Sequence, residues 1–284
     1  MGHPVHRFSA VARPVEPRYS TNLAVLIIMG VALVALSVTS LIRGAAPDDA
    51  LLGGLLGALL LFFTWALTRE LAPDDNAAAF VALVPVTIVV LLGVEPLFFE
   101  PMLVLLLARL VNRTVGPPAT TSDRIVMLVF LLAVGRGSQG LSLGLAAVAA
   151  FGLDAMLPTT PPRGWLWAGL AAVVAGVAMA IGQPEIALGD PGSWTIGAWV
   201  VAGLFAVVIA TQPAPRSECD ASPHAPLRRD RVQGGMVVAL VAISAASLAG
   251  DASVQSWAVG WSACLGATLT RPWNLRGRNA SRDG

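Results

Sequence analysis

The sequence predicts an all-α, polytopic integral membrane protein with about ten transmembrane helices and both termini in the cytoplasm. Three observations lead to this prediction. Hydrophobic residues make up 56% of the chain and charged residues only 12%, long apolar segments recur along it, and nearly all arginines fall in alternate connections between those segments. A water-soluble globule could not cover so large an apolar fraction with polar surface, so the bilayer is the expected solvent for most of the chain.

The first apolar segment, 23–42, follows a polar N-terminal tail at 1–20. It is longer than the apolar core of a cleavable signal peptide, which is about 7 to 15 residues, so it is predicted to remain as a membrane span. Nine further apolar segments are predicted to be helices: 51–68, 77–94, 97–111, 124–138, 141–157, 164–182, 194–211, 234–250 and 254–269.

These segments divide the chain into five parts. The predicted parts are a cytoplasmic tail (1–20), a main helical body of about eight spans (21–211), a flexible cytoplasmic loop (212–233), a C-terminal two-helix hairpin (234–270) and a basic cytoplasmic tail (271–284).

The stretch from Arg124 to Pro158 decides the orientation of everything after it. It is too long for one crossing, which needs about 20 residues, and its middle is interrupted by the sequence GRGSQG at 135–140. We expect two short helices that meet at this break, either as two crossings or as a re-entrant hairpin. Both alternatives return the chain to the side from which it came.

Arginine distribution supports this turn. With the N-terminus in the cytoplasm, every arginine except Arg43 and Arg136 falls on the cytoplasmic side, as the positive-inside rule requires. A single kinked crossing between Arg124 and Pro158 would export every arginine from Arg163 onward. A bacterial-type inner membrane is the predicted location.

The glycine-rich break is the first candidate site. Unwound backbone at membrane depth is tolerated where it faces protein or a watery cavity, and broken helices carry the substrate sites of many secondary transporters. The predicted substrate-binding residues are Arg136, Ser138, Gln139, Glu95 and Glu100. The alternative is a tight outer turn with solvated acids nearby.

A polar cluster on the cytoplasmic side is the second candidate. Arg109 and Arg113 are four residues apart and share one helix face, so they could hold a phosphate through forked hydrogen bonds. The alternative is an interfacial anchor that pairs with acids or lipid head groups. The predicted cluster comprises Arg69, Glu70, Asp74, Asp75, Arg109, Asn112, Arg113 and Arg124.

Metal and cofactor sites are not predicted. The aspartate pairs Asp48-Asp49 and Asp74-Asp75 lie at opposite ends of one predicted span, so they cannot share a metal, and helix N-capping is the expected role. The three histidines lie in proline-rich polar segments and the two cysteines in unrelated ones. A net charge of +1 gives no general attraction for nucleic acid.

Three functions are compatible with these features. The leading hypothesis is a transporter-like protein that binds or moves a small or amphiphilic solute, with a central cavity touching Arg136 or the glutamates. The first alternative is a transferase acting on a lipid or phosphate substrate, with a cytoplasmic cleft lined by Arg69, Asp74, Arg109 and Arg113. The second is a non-catalytic subunit whose small-residue helices pack against a partner.

Overall fold

The computed structural model describes residues 9–94, 97–159, 163–183, 188–220 and 225–271. Within them the chain is helical, apart from loops and a single bridge between Glu218 and Pro226. Glu95 and the basic tail after Arg271 lie outside the described residues. The helices are α1 (Ser20–Ile42), α2 (Pro47–Leu71), α3 (Asn76–Val81), α4 (Leu83–Leu91), α5 (Phe99–Asn112), α6 (Thr121–Val134), α7 (Gly140–Met156), α8 (Gly164–Gly182), α9 (Ser193–Ala210), α10 (Arg229–Ser247), α11 (Asp251–Ser256) and α12 (Ala258–Leu269).

Each of the ten apolar segments forms helix, and two of them are divided. The segment at 77–94 forms α3 and α4, and the one at 254–269 forms α11 and α12. Pro85 explains the first division, because a proline ring clashes with the carbonyl four residues earlier, here that of Val81. Helix α3 ends at Val81.

Two aspartate pairs occupy helix starts, as expected. Asp75 is the N-cap of α3, and its Oδ1 accepts from the backbone N–H groups of Ala77 and Ala78 at 3.0 and 3.2 Å. Asp48 and Asp49 instead lie in the first turn of α2, where a negative charge is favoured by the helix dipole. Capping is therefore confirmed for Asp75. The N-cap residue of α2 is Ala46, and no side chain makes a capping hydrogen bond there.

Helices α6 and α7 are the two short helices predicted on either side of the glycine-rich break. The turn at 135–139 separates them, and Arg124 at the start of α6 reaches Asp154 near the end of α7, with Nη2 and Oδ2 3.1 Å apart. The two helices are therefore antiparallel, and the chain reverses at the break.

Helix ends gather into two groups. At one end, which we call the arginine-rich end, the C-termini of α2, α5 and α7 meet the N-termini of α6 and α10 through buried ion pairs. At the opposite end, Gln139 accepts from Trp257 Nε1 at 2.8 Å, and Asp251 accepts from Thr195 at the start of α9. Successive helical units thus run in alternating directions.

The outer surface of the bundle is apolar. Four helices, α1, α2, α8 and α9, are long and apolar enough to cross a membrane. Large side chains point outward along α1 and α8, including Ile27, Val34, Val173 and Ile181, each at least 57% exposed. Exposed apolar surface on this scale is unusual for a soluble monomer and is typical of a lipid or protein contact.

Small residues set the close contacts inside the bundle. A Cβ on Gly54 of α2 would lie 2.6 Å from the carbonyl oxygen of Leu33 in α1, and one on Gly266 of α12 would lie 2.5 Å from that of Ala78. The small-residue helix α8 packs tightly on one side only, through Ala171, Ala175 and Ala178. Its other face is exposed, so α8 is peripheral, whereas α10 lies in the interior.

The C-terminal part of the chain is integrated into the body more closely than a separate hairpin would be. Helix α10 begins at Arg229, within the predicted loop, and packs against α5, α7 and α9, while α12 packs against α2. The described parts of the loop are tied down: Asp74 accepts from the backbone N–H groups of Arg216 and Ser217, at 3.0 and 2.9 Å. Hydrogen bonds to a carboxylate give this segment a defined place on the bundle.

Candidate functional site

Glu70 lies at the centre of the arginine-rich end. It is fully buried in the last turn of α2, and its Oε1 is 3.0 Å from Arg109 Nε and 3.4 Å from Arg13 Nη1. Asn112 donates to the Glu70 backbone carbonyl at 2.8 Å. A carboxylate without solvent needs such partners, and α5 together with the N-terminal segment supplies them.

The segment at 9–19, which we call the N-terminal strap, crosses this end of the bundle. Asp123 accepts from Ser9 Oγ at 2.6 Å and from the Ala10 backbone N–H at 3.0 Å, and Arg109 donates to the Val11 carbonyl at 3.3 Å. Arg13 Nε lies 2.6 Å from Asp220. Burial lowers the pKa of Arg13, but the charges of Glu70 and Asp220 outweigh it, so the pKa is raised overall. Arg13 therefore remains a cation throughout the physiological pH range.

A cavity of about 620 Å³ opens beside Glu70, between the strap, α1, α2 and α5. We call it the strap pocket. Its polar rim is formed by Arg13, Arg18, Arg69, Arg109, Glu70 and Asp220.

The part of the strap pocket that lies farther from the arginine-rich end, which we call its apolar wall, is aromatic and aliphatic. Phe62 and Phe63 of α2 and Met102, Leu105 and Leu106 of α5 line it. Phe62 and Met102 each lie seven residues before a rim arginine on the same helix, Arg69 and Arg109, which corresponds to about 10 Å along the axis. The pocket therefore changes from charged to apolar over roughly two helical turns.

Two donors in the strap pocket have no partner among the described residues. Trp65 is 6% exposed, and its buried indole Nε1 makes no hydrogen bond. The same is true of Arg69 Nη1, and the Arg69 guanidinium lies over the Trp65 ring at 6.0 Å from the ring centroid. Buried donors without acceptors are costly, at about 1 to 3 kcal/mol each.

A second ionic centre surrounds Asp154. It receives Arg113, four residues after the Arg109 that contacts Glu70. Arg113 Nη2 and Arg231 Nη1 donate to Asp154 Oδ1 at 2.7 and 3.1 Å, and Arg124 Nη2 lies 3.1 Å from Oδ2. All four side chains are at most 6% exposed. Arg113 and Arg231 also donate to carbonyls at the C-terminal end of α7, those of Thr159 and Pro158. We call this set the Asp154 network; it joins α5, α6, α7 and α10.

The predicted cytoplasmic cluster thus separates into three groups. Arg69, Glu70 and Arg109 line the strap pocket, and Asn112 supports Glu70 from behind. Arg113 and Arg124 belong to the Asp154 network. Asp74 holds the loop at 216–217, and Asp75 caps α3. A transferase cleft would require Asp74 and Arg113 to lie beside Arg69. In the structure Asp74 and Arg113 make other contacts, and neither lines the strap pocket with Arg69.

The predicted residues at the glycine-rich break lie at the opposite end of the bundle. Arg136 and Ser138 are exposed on the turn, and Gln139 is buried against Ser253 and Trp257. Glu100 is partly buried in the first turn of α5, and Glu95 lies outside the described residues. None of the four described residues lines the strap pocket. This geometry matches the alternative interpretation, a tight turn.

Sequence reasoning missed Arg13 and Arg231 as members of these centres. Arg13 lies in a proline-rich tail without helical periodicity, so no pattern in the sequence marks it. Arg231 had a signal that was available, since it stands three residues before the apolar segment at 234–250, where an interfacial arginine is expected.

The chain has no match among protein-family models, curated proteins or solved structures. The geometry of the strap pocket is therefore the feature of this chain that points to a function.

Proposed function

We propose that this chain is a transporter-like, multi-pass protein of a bacterial-type inner membrane that binds an amphiphilic solute in the strap pocket. In this proposal the ten helical units cross the bilayer in alternating directions, with the arginine-rich end and both termini in the cytoplasm. The apolar outer surface and the gathering of arginines at one end support this arrangement. The strap pocket replaces the glycine-rich break as the proposed solute site.

One observation carries the binding proposal: the strap pocket combines a charged rim with an apolar wall that extends about 10 Å away from the rim along α2 and α5. A soluble polar metabolite would gain nothing from contact with the apolar wall formed by Phe62, Phe63 and Leu106, because it has no apolar surface to bury. A molecule with a polar head and a hydrocarbon tail satisfies both regions, because burying the tail removes apolar surface from water at about 25 cal/mol per Å². The volume of about 620 Å³ falls within the range of small-molecule sites.

Filling the apolar wall tests this proposal. Leu106 is partly exposed in the strap pocket, so Leu106→Trp places a larger side chain where the tail would lie. We expect the variant to bind dioctanoyl phosphatidate at least about tenfold more weakly than the wild type, a loss of about 1.4 kcal/mol. Native mass spectrometry of the full-length protein, titrated with this lipid in detergent, measures the affinity.

Val129→Trp is the matched control for that experiment. Val129 lies on α6 with 62% of its surface exposed, so the same enlargement there leaves the strap pocket unchanged. Equal affinities for the wild type and Leu106→Trp, with saturable binding in both, would show that the amphiphile binds elsewhere and would contradict the proposal.

A further inference from the structure

Among the described residues, one cation of the strap pocket makes no ion pair. Arg13 is paired with Glu70 and Asp220, Arg109 with Glu70, and Arg18 with Glu16. Arg69 lies within ion-pair distance of no described carboxylate, and its Nη1 is buried without a hydrogen-bond partner. A guanidinium in this position attracts an anion, since it is always protonated and presents several donors in one plane.

The N-terminus of α1 enters the same pocket. Ser20, Thr21 and Asn22 line it, and the first intrahelical bond is made by the following residue, from Leu23 N–H to the Tyr19 carbonyl. No side chain caps this 23-residue helix, and its first turn contains no acidic residue. Its leading N–H groups and the positive end of its dipole are therefore available to an anion.

Trp65 supplies independent evidence for a ligand. Its side chain is more than nine-tenths buried in the pocket wall, and its indole N–H has no acceptor among the described residues. An indole nitrogen can only donate. An acceptor contributed by the occupant of the pocket would remove the penalty of leaving this donor unpaired.

We infer that the head group bound in the strap pocket is a phosphate ester, an inference that rests on the proposed amphiphile site. Three sources of donors, the α1 N-terminus, Arg69 and Trp65, come from different positions around one cavity. A phosphate presents three terminal oxygens, which suits three sources better than the two oxygens of a carboxylate. Arg69 donates to one terminal oxygen, the α1 N–H groups bind a second, and the indole binds the third.

The phosphate could belong to a lipid or be free in solution, and one titration separates these sources. The full-length protein is titrated with dioctanoyl phosphatidate, with dioctanoylglycerol, which has the same tails without the phosphate, and with inorganic phosphate. We expect phosphatidate to bind at least about tenfold more tightly than either of the other two, because dioctanoylglycerol lacks the charged hydrogen-bond acceptor and inorganic phosphate lacks the apolar tail.

Substitutions locate the phosphate. Arg69→Gln is expected to weaken phosphatidate binding about tenfold or more while leaving dioctanoylglycerol binding unchanged. Trp65→Phe keeps an aromatic ring without the donor and is expected to weaken phosphatidate binding about threefold or more; it also serves if Arg69→Gln does not fold. Arg229→Gln is the control, since Arg229 is an exposed arginine at the start of α10 that does not line the pocket.

The outcomes distinguish this inference from the proposed function. Equal binding of phosphatidate and dioctanoylglycerol to the wild type would overturn phosphate recognition and leave the amphiphile site standing. Inorganic phosphate binding as tightly as phosphatidate, with Leu106→Trp without effect, would support the phosphate site and overturn the amphiphile. Equal losses in Arg69→Gln and Arg229→Gln would show that only general positive charge matters, and no binding of any probe would overturn both.

Discussion

At the scale of single residues, the buried charges are the most unusual feature of this bundle. Asp154 is the common partner of three arginines, Arg113, Arg124 and Arg231, all nearly without solvent. The Nε atoms of all three arginines are buried without hydrogen bonds to any described residue. A carboxylate that holds together several buried cations cannot be removed without leaving uncompensated charge.

Asp154→Asn is therefore expected to destabilise the protein. The amide retains the shape of the side chain but loses the charge, so three buried guanidinium groups remain with no anion between them. We expect the free energy of unfolding to fall by about 3 to 5 kcal/mol, which is measurable by thermal or denaturant-induced unfolding of the purified protein in detergent.

Asp49→Asn controls for the general effect of removing an aspartate. Asp49 is exposed in the first turn of α2, where its interaction with the helix dipole contributes about 0.3 to 1 kcal/mol. If both variants lost the same small amount, the Asp154 network would contribute little to the stability of the fold.

At the scale of elements, the N-terminal strap shows how a segment without regular structure acquires a defined place. Asp123 does two things at once: it accepts from Ser9 and Ala10 of the strap, and it completes the capping box of α6 with Thr120. The strap in turn carries Arg13 to Glu70 and forms one side of the strap pocket. A tail is thereby part of the candidate site.

Asp123→Ala is expected to release the strap. Loss of two hydrogen bonds to a carboxylate raises the open population of the strap by about tenfold or more, so trypsin should cleave after Arg18, which precedes Tyr19, correspondingly faster. Limited proteolysis of the folded protein, followed by mass spectrometry, measures the rate.

Thr120→Ala distinguishes the contribution of the strap contacts from the contribution of the helix cap. It removes the Thr120 side chain that accepts from the Asp123 backbone N–H and leaves the Asp123 carboxylate in place for Ser9 and Ala10. Cleavage after Arg18 at equal rates in the two variants would mean that the cap of α6, and not the direct contact with Asp123, holds the strap.

At the scale of the whole molecule, the alternating direction of the helical units makes a prediction about sides. Ser138 lies exposed in the turn at the opposite end, and Ser122 lies exposed at the arginine-rich end. Single cysteines at these positions, in a Cys219→Ser background, report which side of the membrane each end occupies. The remaining Cys264 is fully buried and should not react.

An impermeant maleimide applied outside intact spheroplasts is expected to label Ser138→Cys and to spare Ser122→Cys, which should react only after the membrane is disrupted. The physical reason is the preference of arginine-rich connections for the cytoplasmic side. Labelling of Ser122→Cys from outside would invert the proposed orientation. If neither cysteine were labelled in intact spheroplasts but Ser122→Cys reacted after the membrane was disrupted, the α6–α7 pair would be a re-entrant hairpin.

How far the sequence predicts this structure differs between its helices and its sites. The ten apolar segments, the reversal between α6 and α7 and the capping role of Asp75 all follow from local chemistry: apolar length, a glycine-rich interruption, and an aspartate before a helix. The division of the segment at 77–94 also had a local cause in Pro85. These features depend on residues close together in the chain.

The site required information that no local pattern contains. The sequence placed Arg69, Glu70 and Arg109 on one side of the bundle, but Arg113 and Arg124 on that side belong to a different centre, and Arg13 reaches Glu70 from 57 residues away. Which arginine of the strap pocket has no ion pair with a described carboxylate is decided only when every carboxylate around the pocket has been assigned a partner in three dimensions. Composition and periodicity determined the all-helical architecture and its apolar exterior, because helices satisfy their own backbone hydrogen bonds. Tertiary structure alone decided the strap pocket and the place of Arg69 outside its described ion pairs, because charge pairing depends on distance in space.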